Sequence, residues 1–325
     1  LDMVVYFTVS VTGDQWIWSY NLYSATYELK KLGLKCIYDL PIAYWQTLRN
    51  LLHEEAERMP AWKTTLGGGI KDSKEKLDRK TQELELADVV IGPGQFVLDS
   101  LPQWAGHKKV IMSPFGSPEK RITTFSDKEE HSTSQLERPL RILFVGSMSQ
   151  RKGLGDLMEG MCRVKSKNVE LVVMGSLLDS MHFYRSQFPA FIYEPGRSHE
   201  QVLKLMRTCD VLCLPSIVEG RALVMQEAMS QGLPLIITPN TGGADLIKEG
   251  ETGFLVPIRS PEVIAEKIEW FASNRNRIEE MGSAAMEHAS EYTWRKYALT
   301  ILRELTAFFD ETSFGKKSSL QTYNL

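Results

Sequence analysis

This chain of 325 residues is short of long apolar runs, of clustered metal ligands and of excess basic charge. No apolar stretch approaches the ~18 residues that a membrane helix requires, and no basic, apolar leader opens the sequence. A cytoplasmic protein is therefore expected, with peripheral contact at the inner face of a membrane left open. Lysine and arginine number 38 against 41 aspartates and glutamates, a formal net charge of -3. That balance excludes a general polyanion binder and argues against nucleic acid as a partner, while leaving room for a local basic pocket. The four cysteines, Cys36, Cys162, Cys209 and Cys213, show no C-x2-C spacing and sit in apolar periodic segments, so reduced core thiols are expected. The six histidines stand singly, without an H-x3-H pair. No metal site and no bound cofactor are expected.

What is present is an ordinary globular composition, 43% hydrophobic and 24% charged, with length for two domains. Short apolar runs alternate with helical patterns in both halves, as parallel βαβ units do. In the first half "MVVYFTVSV", "WIWSYN", "LKCIYDL", "ADVVIGP" and "KKVIMSP" read as strands. Trp45, Leu48, Leu52 and Ala56 recur at helical spacing, and Asp72 with Glu75 reads as a capping box for a second helix. Residues 117–139 are polar, charged and bounded by prolines, which predicts a linker between an N-terminal domain, 1–116, and a C-terminal one, 140–293. In the latter "RILFVGS", "VELVVMGS", "FIYEPG", "DVLCLPS" and "PLIITPN" predict five strands, each followed by a helical pattern. The fold class is α/β, with doubly wound parallel sheets. An amphipathic helix at 294–309 is expected to fold back on the first domain, ahead of a frayed tail, 310–325.

Open α/β sheets bind ligands beyond the carboxyl ends of their strands, so the loops there hold the candidates. "FVGSMSQRKGLGDL" places Gly146, Ser147, Arg151 and Lys152 between a strand and a helix start, a combination of glycine, free N–H groups and charge suited to phosphate. It is neither G-x-G-x-x-G nor G-x4-G-K-[ST], so neither a dinucleotide fingerprint nor a P-loop is supported. "EGRALVMQEAM" sets Glu219 before a helix expected to start near Arg221, and Glu227 inside it. Eight helical residues rise about 12 Å, whereas a retaining glycosidase needs carboxyls ~5 to 5.5 Å apart. The wider spacing suits two hydroxyl-bearing groups flanking a diphosphate held by a helix N-terminus. In "TPNTGGADLI", Gly242 and Gly243 offer another place for backbone to approach a ligand.

Together these segments resemble the retaining glycosyltransferases of family 4 (glycosyl transferases group 1), whose GT-B fold is two facing Rossmann-like domains. The resemblance covers about residues 16–309 and is strongest over 141–258. It rests on E-x7-E, met by Glu219 and Glu227 within "PSIVEGRALVMQEAMSQGLPLIITPNTGGADLI", and on "RILFVGS....RKG", "VVMGS", "YEPGRSHEQVLKLMRTCDVLCLPS" and "ETGFLVPI" in the family's order. It implies a hexosyltransferase, metal-independent and retaining, moving a sugar from a nucleotide-diphosphate sugar to a glycan, lipid or small-molecule acceptor. Lys152 then matches the lysine on the donor diphosphate, Glu227 the glutamate on the ribose hydroxyls and Glu219 the glutamate beside the transferred sugar. Gly220, Arg221, Ala222 and Leu223 match backbone donors to phosphate and sugar, Arg197 lies where the base is placed, and Gly242 and Gly243 border the pocket.

Two departures from the pattern stand out. Ser147 replaces the arginine usual after the first glycine, and Arg151 is the candidate to supply that charge from across the loop. The histidine usual at the end of an N-domain strand is absent, leaving Asp39 either as its replacement on the acceptor side or as a cap of the following helix. The family's opening strand and glycine loop have only Gly13 as a counterpart, so a truncated or divergent N-terminus is expected. Two other functions compete: a nucleotide-sugar-binding protein without transfer activity, and a GT-B-like sugar-nucleotide epimerase. The oligomeric state is open.

Overall fold

The computed structural model describes residues 5–8, 27, 30–118 and 138–320, with side chains described at 27, 30–118 and 138–310. Gly13, the "WIWSYN" segment, most of the expected linker and residues 321–325 lie outside the described residues.

Two parallel sheets organise the molecule. The first has the order β1 (Val5–Thr8), β2 (Cys36–Asp39), β3 (Val89–Gly92), β4 (Lys109–Met112). Helices α1 (Trp45–Arg58) and α2 (Lys74–Leu86) join β2 to β3, and the short α3 (Gln95–Asp99) precedes β4. The cap of α2 is Ser73, whose hydroxyl accepts from the Lys76 amide; the expected cap Asp72 instead pairs with Lys76 and Lys80 at 2.6 and 2.7 Å. A hydroxyl one residue nearer the first turn reaches the free N–H groups more directly.

The second sheet has six strands rather than the five expected: β5 (Leu140–Val145), β6 (Val169–Met174), β7 (Phe191–Glu194), β8 (Val211–Leu214), β9 (Leu235–Ile237) and β10 (Gly253–Leu255). Their order is β10-β9-β8-β5-β6-β7. The winding reverses between β5 and β8, which creates a crevice at the carboxyl ends of those two strands. β8, and β5 from Ile142 on, read as unbroken apolar runs because parallel strands are covered on both faces, and Ile142, Leu143, Val211, Leu212, Cys213 and Leu214 are fully buried. The sixth strand escapes a pattern search because it is three residues long and opens with Gly253. That residue must be glycine: its φ is +153°, and a Cβ would stand 2.1 Å from the Leu235 carbonyl oxygen.

The connecting helices are α4 (Leu154–Arg163), α5 (Met181–Gln187), α6 (His199–Met206), α7 (Leu223–Ser230), α8 (Pro261–Ser273) and α9 (Ile278–Ser290). The last helix, α10, runs Trp294–Leu320, well past the expected end at 309 and through most of the supposed tail. Its Ile301, Leu305 and Phe308 pack on Ile37, Val89, Ile91 and Ile111 of the first sheet. In the opposite sense, Trp62, just after α1, is 1% exposed within the core of the second sheet. The two halves thus exchange packing elements. Among the cysteines Cys36, Cys209 and Cys213 are buried, but Cys162, near the end of α4, is exposed, contrary to the expectation of four core thiols. Among the described residues no helix is long and apolar enough to cross a membrane.

Candidate functional site

The crevice between β5 and β8 collects the loop candidates. After β5 the chain leaves at Gly146, whose φ of +146° and missing Cβ let the Lys152 stem lie across it; a Cβ there would come within 2.7 Å of Lys152 Cδ. Ser149 caps the turn Gln150–Lys152, its hydroxyl accepting from the Lys152 amide at 3.3 Å. Ser147 is half-buried, 3.5 Å from Ser149 through their hydroxyls. The Arg151 carbonyl accepts from the Ile217 amide at 2.9 Å, which stitches this loop to the one after β8.

Those two loops bring three charged side chains together. Lys152 Nζ lies 2.8 Å and Arg151 Nη1 3.2 Å from Glu219 Oε1, with all three side chains largely shielded from water. Arg151 therefore stands beside Lys152 in space as in sequence. Among the described residues no donor is aligned on the buried Glu219 Oε1 for a hydrogen bond, so the pairing there is one of close charge. Helix α7 starts at Leu223 with Ala222 at its cap, two residues later than the sequence predicts, so Glu219 precedes the helix on irregular backbone. Glu227 is inside α7. Burial holds its carboxyl above the usual carboxylate range, while His199 Nε2, 3.4 Å away, pulls it down.

One expectation for this region is corrected, and the other residues have structural roles of their own. The Ala222 amide is already bonded to the Thr241 carbonyl at 3.2 Å, so it is not a free donor to ligand. The Arg221 side chain is fully buried in a clamp with Asp245 at 2.8 Å, Gln226 at 2.8 Å and the Gly242 carbonyl at 3.0 Å; it braces the loop from behind. Gly220 and Gly242 are required by the chain's own packing: a Cβ on Gly220 would meet the Pro41 carbonyl oxygen at 1.6 Å, and one on Gly242 the Gly220 carbonyl oxygen at 1.6 Å. A Cβ on Gly243 would meet the end of the Met225 side chain at 2.4 Å. The two halves touch backbone to backbone where Gly220 meets Pro41 and where Gly94 meets the Gly242 carbonyl. Leu223 is part-exposed at the head of α7.

Arg197 is exposed on the loop after β7 and pairs with Glu194. Asp39 ends β2, in register with Thr8 and Ile91. The cap position of α1 is Tyr44, which carries no side-chain bond, so Asp39 is not its N-cap residue. His199 was not foreseen, although it lies in the "GRSHEQ" stretch at the start of α6. Nor were Glu55 and Gln150, both fully buried beside the Arg151 loop. Glu55 carried a signal: it falls seven residues after Leu48, on the apolar stripe of α1, where a charged residue is out of place. Among the described residues no group of three or more histidine, cysteine, aspartate or glutamate side chains could hold a metal ion.

Comparison with known proteins places this geometry. The family model for glycosyl transferases group 1 matches residues 126–288. Sulfoquinovosyl transferase SQD2 of Arabidopsis thaliana is 28% identical over 176 residues, 53% of this chain and 34% of that protein. D-inositol 3-phosphate glycosyltransferase of Corynebacterium diphtheriae is 26% identical over 199 residues, 55% of this chain and 46% of the relative. The chain thus spans half or less of the length of these curated relatives. Among solved structures, sucrose-phosphate synthase of Thermosynechococcus elongatus superposes with a TM-score of 0.67 at 18% identity, over 89% of this chain and 72% of the other. Anabaena HepE in complex with UDP does so with a TM-score of 0.67 at 17% identity, over 94% and 78%. The fold is GT-B, and with half of its length matched by the family model the chain belongs to the glycosyl transferases group 1.

Proposed function

We propose that the chain binds a nucleotide-diphosphate sugar in the β5–β8 crevice and transfers the sugar, with retention of configuration, to a glycan, lipid or small-molecule hydroxyl. The observation that carries this reading is the convergence of Lys152 and Arg151 on Glu219 at the strand-order reversal, with Glu227 on the adjoining helix. A diphosphate entering the crevice takes both cations from Glu219, releasing that carboxylate to face the sugar. Glu227 accepts hydrogen bonds from the ribose hydroxyls. Arg151 and Lys152 supply the positive charge that other transferases draw from a divalent ion, so transfer proceeds without metal. In the chemical step the bond from the anomeric carbon to phosphate oxygen breaks, the bond to the acceptor oxygen forms on the same face, and the acceptor proton passes to the leaving diphosphate. The protein's part is orientation, charge stabilisation and exclusion of water. The UDP and UDP-glucose complexes of HepE support a sugar-nucleotide donor, and the name of the sulfoquinovosyl transferase supports transfer of a sugar.

A thermal-shift panel of UDP, GDP and ADP and their sugars identifies the donor, since ligand at 100 times its Kd adds about 2.7 kcal/mol. The identified donor is then incubated with candidate acceptors in the presence of EDTA, and the product's anomeric configuration is read by NMR. An axial product from an axial donor supports the proposal; an inverted product, or isomerised donor without acceptor, contradicts it.

A further inference from the structure

The loop that carries Arg151 and Lys152 is held from the N-terminal half of the chain. Gln150, immediately before Arg151, is fully buried and has every polar atom of its side chain engaged. Its Nε2 donates to Glu55 Oε1 at 2.8 Å and to Asp156 Oδ2 at 2.7 Å, and its Oε1 accepts from the Gly155 amide at 2.8 Å. Its backbone amide donates to Thr65 Oγ1 at 3.0 Å. Two of these four partners, Glu55 and Thr65, belong to α1 and the turn that follows it.

Glu55 is the centre of the arrangement. It is fully buried, and besides Gln150 it accepts from Arg58 and, through Oε2, from Arg259 Nε at 2.8 Å. Arg58 continues to Asp156 at 2.7 Å, so two acids and two arginines neutralise one another around a single amide. Arg259 holds its position with φ at +60°, a conformation that costs a non-glycine residue and persists only where its surroundings fix it. Its guanidinium also reaches Glu54 and the Leu51 carbonyl. Beside this network Trp62 lies against the first turn of α4, where Gly155 has no side chain to obstruct it. On the far side of the loop the Arg151 carbonyl is bonded to the Ile217 amide. The Gln150–Arg151 segment is thereby held on two sides, through the Gln150 amide and side chain by α1 and its following turn, and through the Arg151 carbonyl by the loop that carries Glu219.

Resting on the donor reading above, we propose that Glu55 is a positioning residue for diphosphate binding: through Gln150 it sets where Arg151 and Lys152 present their charge. A buried charge network left half satisfied is free to rearrange, and the neighbouring loop moves with it. The effect is confined to the diphosphate end of the donor, because Glu227, on α7 and paired with His199, takes no part in this network among the described residues.

The test titrates UDP, GDP and ADP and the matching monophosphates by calorimetry into wild type, Glu55→Ala, Glu55→Gln and Leu52→Ala, each well below its unfolding midpoint. Leu52 is a buried apolar residue of the same helix, so its truncation loosens α1 without touching Gln150. In Glu55→Ala the preference for diphosphate over monophosphate is expected to fall about tenfold, the order seen when a supporting residue of a charge-binding site is lost. Glu55→Gln, which keeps an acceptor for Gln150, recovers most of it, and Leu52→Ala leaves the preference unchanged. Should Glu55→Ala fail to fold, Thr65→Val, which removes the acceptor of the Gln150 amide, carries the same expectation. A preference within twofold of wild type in the folded variant, or an equal fall in Leu52→Ala, overturns the inference. Wild type that does not prefer any diphosphate contradicts the donor reading itself, which separates the two failures.

Discussion

Lys152 Nζ stands 2.8 Å from Glu219 Oε1, and each residue comes from a different strand end of the same sheet. The contact ties the loop after β5 to the loop after β8, and in the proposed donor site Glu219 holds the place that a bound anion would take. Because both groups are partly shielded, the pairing is stronger than an open surface bridge, and on the proposed donor reading an entering diphosphate has to break it. Opposite effects are therefore expected from the two partners. Lys152→Ala should lower nucleoside diphosphate affinity by about 1.5 to 3 kcal/mol, the range for hydrogen bonds to charged groups. Glu219→Gln should tighten it, by up to about 1 kcal/mol, while depressing sugar transfer. Weakening by both substitutions in calorimetric titrations would mean that Glu219 supports the diphosphate rather than competing with it.

Glu227 supplies a pH dependence of known sign. Burial raises its carboxyl above the usual carboxylate range in the folded chain, against the opposing pull of His199. A raised folded-state pKa contributes stability that is present at acid pH and lost as pH climbs through the raised value, so the ionised form is a burden on the ligand-free protein. Glu227→Gln should then raise the unfolding midpoint at neutral pH, with the gain vanishing under acid conditions. Ribose binding has the reverse preference, because the hydroxyls need an ionised acceptor. Nucleoside affinity should fall as pH drops through that raised pKa in wild type and stay flat in Glu227→Gln. A flat wild-type profile contradicts the role given to Glu227.

Much of this architecture is readable before folding, and the exceptions have physical causes. The inner strands β8 and β9 stand out because burial on both faces makes them continuous apolar runs; β10 does not, since three residues beginning with glycine carry no period. The charged residues of the site are legible because they sit at strand ends in motif order. The glycines were legible as residues but not in purpose: Gly220 and Gly242 meet backbone from Pro41 and from one another, contacts between segments far apart in sequence. For the same reason the buried Glu55–Gln150–Asp156–Arg58–Arg259 network, whose members are up to 204 positions apart, could not be assembled from local spacing.

That network should also dominate the stability of the interface between the halves. Asp156 is fully buried and bonded to Arg58 and Gln150. Asp156→Ala removes one of the two buried carboxylates that share Arg58 and one of the two acceptors of Gln150 Nε2, and should cost about 3 kcal/mol in denaturant unfolding. Arg163→Ala, which removes an exposed pair with Glu159 on the same helix, should leave the midpoint unchanged. Equal effects of the two substitutions would show that the network contributes no more than a surface bridge.

Backbone contact at Gly220 offers a separate check on how the halves meet. Gly220→Ala places a methyl carbon against the Pro41 carbonyl and should destabilise by about 1 to 3 kcal/mol. Small-angle scattering should show a larger radius of gyration as the two sheets are pushed apart. An unchanged radius and midpoint would mean that the halves do not close on Gly220 in solution.

The central claim is that Arg151, Lys152 and Glu227 form a nucleotide-diphosphate site, and calorimetric titration of UDP, GDP and ADP into wild type, Lys152→Ala and Glu227→Ala tests it most directly. One diphosphate should bind wild type with 1:1 stoichiometry and lose about 1.5 to 3 kcal/mol of affinity in each variant. Failure of all three to bind wild type, or binding that neither substitution weakens, would contradict the account.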